Sequence, residues 1–219
     1  MSQMSHGKPA ADLRSPLGGR LSAFRKARKT LAEHRRLVVV GGWLSLLAAT
    51  VHIDLNQHAA ATVRLRTAAS LAKHADHCEI EAWCYETEAW RALTEGEYAR
   101  ALELSERAKT RAPTGSSIAI QATGQVGRAH ARLGQATETY AAIDQVHRLV
   151  SPLSMPDRPE HHYRYDPTKS VAYTATTLAW LGDPAAETWA RDLIAQLRPK
   201  NGKQAFGRAG WRQPTSTSP

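Results

Sequence analysis

EIEAWCYETEAWRALTEGEYARALELSERAKTRAP, residues 79–113, decides the fold. Gly96 stands between two stretches in which apolar residues recur at helical spacing. Ala89 lies seven residues before the glycine, Tyr98 two after it, Ala101 five after it and Ala108 twelve after it, and Pro113 closes the unit. Two helices of a hairpin approach closely only where their facing side chains are small, and the turn between them needs a residue that tolerates positive φ. Ala89 and Ala101 are spaced for that contact, Gly96 for the turn, and Tyr98 for a packing wedge at the mouth of the hairpin.

The same offsets recur on both sides of this unit. Around Asn56 they fall on Ala49, Ala61, Leu65 and Ala68, with Asn replacing Gly as a residue that enters the left-handed region. Around Gly134 they fall on Gly127, Ile143 and Val146, although Thr139 takes the place of a small apolar residue. Around Gly182 come Ala175, Ala186, Ala190 and Leu193, with the turn one residue shorter and Pro199 ending the last helix. The turns are spaced by 40, 38 and 48 residues, so the unit is a helical hairpin repeated about four times. The extra length lies between hairpins, most of it in residues 151–169, SPLSMPDRPEHHYRYDPTK, whose four prolines predict an ordered loop over one face.

These offsets resemble the tetratricopeptide repeat, and the fold expected from the resemblance is an all-α solenoid of about four hairpins. Between about Arg35 and Leu197 the chain is also similar to the C-terminal tetratricopeptide region of actinobacterial helix-turn-helix transcriptional regulators of the Xre type. The likeness is carried by LVVVGGWLSLLAATVHIDL (37–55), EAWCYETEAWRALTEGEYARAL (81–102) and HHYRYDPTK (161–169). It implies a regulatory module that binds a protein, a peptide or a sensed ligand. A free-standing scaffold that binds a protein partner outside transcription is the alternative. Members of that family join this region to an N-terminal DNA-binding domain, and Met1–Gly42 are too few residues for one, so direct DNA binding is not expected.

Charge divides the chain further. It has 219 residues, 29 Lys and Arg against 20 Asp and Glu, and a formal charge of +9. Residues 1–42 hold nine of the basic residues and two of the acids, and residues 199–219 hold four basic residues and no acid, which leaves 16 basic against 18 acidic between. The expected organisation is therefore a basic, partly helical segment over 1–34, a helical repeat domain over 35–198 and a disordered basic tail over 199–219. Residues 21–37 have the periodicity of a basic amphipathic helix. Leu37–Val51 form an uncharged run that is short for a membrane span, so it is expected as a buried core helix with no membrane partner. Arg35-Arg36 before that run resembles a twin-arginine export signal. The first repeat begins inside the supposed signal, however, which favours a cytoplasmic chain.

In a stack of such hairpins the first helix of each faces a common groove. Projecting the small-residue register puts Trp43 and Asp54 there from the first hairpin, and Trp83, Glu86 and Trp90 from the second. Arg128 and Arg132 come from the third and Lys169 and Trp180 from the fourth. The spacing of four places both arginines on one helix face. An aromatic groove with basic residues suits an acidic protein or peptide, or a small acid, through charge-assisted hydrogen bonds. The plainer alternative is that the tryptophans fill core and the arginines are solvated.

No catalytic pattern is present: there is no phosphate loop, no nucleophile elbow, no HExxH and no cysteine with an obvious base, so no enzyme is expected. No cofactor and no metal are expected either. Of the ten histidines, His74 and Cys78 would share a helix face, but the spacing supplies no third ligand. Cys78 and Cys84, six apart in one helix, cannot meet the geometry of a disulfide.

Overall fold

The computed structural model describes residues 30–155 and 162–197. Within them the protein is all-helical, with eight helices and no strand. They are α1 (Leu31–Asp54), α2 (His58–Ala75), α3 (Cys78–Thr94), α4 (Tyr98–Arg111), α5 (Ser117–Arg132), α6 (Ala136–Val150), α7 (Lys169–Leu181) and α8 (Ala185–Leu197). Residues 1–29, 156–161 and 198–219 lie outside the described residues, and with them most of the helix expected over 21–37 and the tail expected over 199–219.

Backbone conformation marks the paired helices. Asn56 at φ 56°, Gly96 at 84°, Gly134 at 72° and Gly182 at 79° are left-handed, and each joins two helices. Asp76 and Gly115, also at positive φ, lie in the links between one pair and the next. The Asp76 amide bonds back to the carbonyls at the end of α2, satisfying acceptors that a helix end leaves orphaned. At the far side of that link His77 caps α3, its Nδ1 accepting from the Ile80 amide at 3.3 Å. Ser116 caps α5, with its hydroxyl oxygen accepting from the Ala119 amide at 3.3 Å. At the start of α1, Thr30 and Glu33 form a reciprocal capping box: the Glu33 amide donates to Thr30 Oγ1 at 3.2 Å and the Thr30 amide to Glu33 Oε2 at 2.8 Å.

Small residues lie where the helices come closest. Ala49, Ala61, Ala68, Ala89, Ala101 and Ala108 are fully buried. A Cβ placed on Gly127 would stand 3.0 Å from Ala142 Cβ, so α5 and α6 meet at a distance that only glycine allows. Thr139, which stands where a small apolar residue was expected, is also fully buried, and its hydroxyl donates to the Gln135 carbonyl at 2.7 Å. Ser105 does the same toward Ala101 at 2.6 Å. The back-bond satisfies each hydroxyl within its own helix, so a residue of nearly apolar outline fits the seam without an orphaned donor.

Packing extends from pair to pair. Besides contacts between consecutive helices, α3 packs on α5 and α5 on α7. Leu46, Leu65, Ile80, Trp83 and Ile118 form one core cluster, into which the inter-helix residue Tyr163 inserts. Each of these aliphatic side chains contributes roughly 1.5–3 kcal/mol by leaving water.

The apolar run 37–51 departs from the buried core helix expected of it. Gly42, Leu46, Ala49 and Ile53 of α1 are buried, but Val40, Leu44, Leu47 and Val51 are 52%, 61%, 44% and 49% exposed. By length and composition α1 could cross a membrane; here its other face is packed on protein, with Gly42 against Ile80 of α3. Composition gave no way to tell the two faces apart, because both are apolar.

Replacing Gly127 by Val forces a branched side chain into the α5–α6 contact. Urea unfolding should show a loss of about 1–3 kcal/mol. A Gly127→Val protein as stable as the wild type would contradict the close approach.

Candidate functional site

The first helix of every pair contributes to one cavity of about 230 Å³. Thr50 and Asp54 come from α1, Trp83, Glu86, Thr87 and Trp90 from α3, Gln121 and Arg128 from α5, and Lys169 and Tyr173 from α7. The connection before α7 adds His162, Arg164 and Tyr165. Residues three, four or seven apart on a helix share a face, which explains why Trp83, Glu86 and Trp90 line the cavity together, as do Gln121 with Arg128 and Lys169 with Tyr173.

Arg128 is the most unusual of these side chains, being only 1% exposed. Its guanidinium carbon lies 3.9 Å from the centre of the Tyr173 ring and 5.8 Å from that of Trp90. Nη1 donates to Gln125 Oε1 at 2.8 Å from one turn earlier on α5. Stacking on aromatic faces is a favourable setting for a planar, weakly hydrated cation. Glu86 is buried close by and accepts from Gln121 Nε2 at 3.0 Å. Burial pushes its carboxyl pKa up, while the Gln121 hydrogen bond and the Arg128 charge pull it down and lose to burial. Glu86 thus holds its proton above the ordinary carboxylate range.

Two residues that line the cavity also carry fully buried polar atoms. Trp83 Nε1 and the Tyr165 hydroxyl have no hydrogen-bond partner among the described residues. Burial also raises the Tyr165 hydroxyl well above the ordinary tyrosine range. The Tyr165 amide, in contrast, donates to Ser117 Oγ at 3.0 Å and pins the connection to the start of α5. Tyr163, two residues earlier, lies between Trp43 and Trp83, with ring centres at 4.8 and 5.1 Å. The connection therefore sends alternate tyrosines inward, a period of two that its four prolines and charged residues conceal in the sequence.

Of the residues expected in the groove, Trp83, Glu86, Trp90, Arg128, Lys169 and Asp54 line this cavity. Trp43 does not; it stacks on Tyr163 and edges a wider depression of about 980 Å³ with Leu44, Leu47, Ile120 and Leu153. Arg132 and Trp180 also lie outside it. The Arg132 guanidinium is 4.7 Å from the Tyr98 ring centre and 5.4 Å from that of Trp180, and it donates to the Tyr98 hydroxyl. The two arginines leave the same helix, but one turn is enough to separate them: Arg128 is enclosed by α3 and α7, whereas Arg132, the last residue of α5, is exposed. They are not a paired surface.

Several lining residues escaped the sequence reading. Gln121 and Tyr173 could have been found by extending the helical period from Arg128 and Lys169. Thr50 and Thr87, four residues from Asp54 and Trp83, could have been found in the same way, whereas His162, Arg164 and Tyr165, in the connection before α7, carried no such signal. Among the described residues no three His, Cys, Asp or Glu side chains converge as metal ligands. Both cysteines are free, and burial raises the Cys84 thiol to about 12.

Comparison with known proteins finds no matching family model, no matching curated protein and no matching solved structure. What the cavity can do therefore follows from its geometry.

Arg128→Ala removes a stacked, buried cation from beside Glu86 and leaves a void between α5 and α7. Chemical denaturation should show a loss of about 3 kcal/mol, against less than about 1 kcal/mol for Arg132→Ala at the exposed end of α5. Equal losses would contradict the different environments of the two residues.

Proposed function

We propose that the chain is a tetratricopeptide-like stack of four helical hairpins that acts as a recognition module and not as an enzyme. In this reading it is the regulatory part of a transcriptional-regulator-like protein of the actinobacterial Xre type. An acidic protein segment or sensed ligand enters the cavity on the α1, α3, α5 and α7 side. Support for the repeat comes from the offsets of small residues about Asn56, Gly96, Gly134 and Gly182 and from the left-handed backbone at all four. The observation that carries the function is the convergence of one helix from each hairpin on a cavity with Arg128, Arg164 and Lys169 among aromatic walls. Binding proteins gather side chains from successive repeats in this way because no single hairpin offers a concave surface.

Support for a non-catalytic role is chemical. The buried Cys84 thiol, at about 12, is almost wholly protonated at neutral pH and is a poor nucleophile. DNA is not the proposed partner, because the basic excess lies at the two ends and the residues between are slightly acidic.

Capture of a partner by the wild-type chain, repeated with Lys169→Ala, tests this reading. Lys169 is half-buried at the start of α7 and opens on the cavity, whereas Lys109 near the end of α4 does not line it. Affinity should fall about tenfold in Lys169→Ala, the value of one charged hydrogen bond, and remain unchanged in Lys109→Ala. Equal affinity in all three proteins, or capture of duplex DNA in place of a protein or small acid, would overturn the proposal.

A further inference from the structure

The cavity's dimensions, charge and aromatic walls narrow its occupant, and this step rests on the recognition reading above. At about 230 Å³ the space is smaller than the usual range of 300–1,000 Å³ for drug-sized ligands. That suits a compact molecule better than an extended peptide chain. Three fixed cations, Arg128, Arg164 and Lys169, face two carboxyl groups, Asp54 and Glu86. Buried Glu86 favours its protonated form, so the balance is positive and an anion is preferred. Trp83, Trp90, Tyr165 and Tyr173 supply aromatic surface around the same space.

We propose that the cavity is a binding site for a small carboxylic acid with a planar aromatic body. Its carboxylate would be held by Arg164 and Lys169 at the mouth and its ring would lie against Trp83 and Trp90. Arg164 is exposed and Lys169 half-buried, so both are free to adjust, whereas buried Arg128 sets the positive field beneath them.

Isothermal titration of the full chain with phenylacetate and indole-3-acetate tests the proposal, with phenylacetamide, phenethylamine and acetate as comparisons. The two aromatic acids should bind. The neutral amide should bind at least tenfold more weakly, and so should acetate, which has no ring, while the amine should not bind. Arg164→Gln and Lys169→Gln, at accessible positions that leave the core intact, should each weaken phenylacetate about tenfold with an unchanged melting temperature in its absence. Amide or amine binding as tight as the acids, or affinities unchanged in both variants, would overturn the proposal. No binding by either acid would overturn it too. If a macromolecular partner is nevertheless captured in a Lys169-dependent manner, the recognition module stands and only this ligand class fails. If the acids bind and no macromolecule is captured, the cavity is a small-acid sensor without a protein groove.

Discussion

The structure depends on how closely paired helices can approach. Where Gly127 faces Ala142 there is no room for a side chain on the glycine, and where Ala49, Ala61, Ala89 and Ala101 are buried there is room for little more than a methyl group. Close approach fixes the rotation of each helix about its axis, because only one narrow stripe of each is small enough to meet its neighbour. Once that stripe is set, every other position on the helix has a determined direction. The residues of α3, α5 and α7 that reach the cavity do so because the alanine and glycine stripes turn them there. Left-handed Asn56, Gly96, Gly134 and Gly182 complete the constraint by reversing the chain in three residues, which leaves no slack for the second helix to roll.

A buried arginine is the most demanding consequence. Removing a guanidinium from water costs several kcal/mol before anything offsets it. Here Tyr173 stacks on it, Gln125 accepts from it and the Glu86 carboxyl lies within reach of its charge. These partners come from α3, α5 and α7, so Arg128 ties the cavity's geometry to the packing of three hairpins. Displacing α7 would take the Tyr173 ring away from the cation. Tyr163 and Tyr165 close the other side: the first inserts between two tryptophans and the second is held to α5 through its backbone.

What could be read from the sequence follows from which constraints are local. Turn positions were legible because positive φ is a property of single residues, and Asn and Gly announce it. Most of the cavity was legible on α3 and α7, where small-residue register and helical period together give a direction to Trp83, Glu86, Trp90 and Lys169. The depth of a side chain was not. Arg128 and Arg132 have the same sequence signature, and only the presence of Tyr173 above one and open solvent beside the other distinguishes them. The exposed face of α1 was hidden because Leu44 and Leu46 are identical letters, one exposed and the other fully buried. Tyr163 and Tyr165 were hidden because a loop has no period from which to project.

The environment of Arg128 is the most direct test of how the hairpins are packed. Its side-chain Nε–H can be observed by ¹⁵N-resolved NMR and its exchange with solvent compared with that of Arg132. Enclosure between the Tyr173 and Trp90 rings predicts slow exchange and a ring-current shift for Arg128, a shift that Tyr173→Leu reduces, with Arg132 exchanging fast. An Arg128 resonance at the position of a solvated arginine, exchanging as fast as Arg132 and indifferent to Tyr173→Leu, would contradict the packing of α3, α5 and α7 around a buried cation.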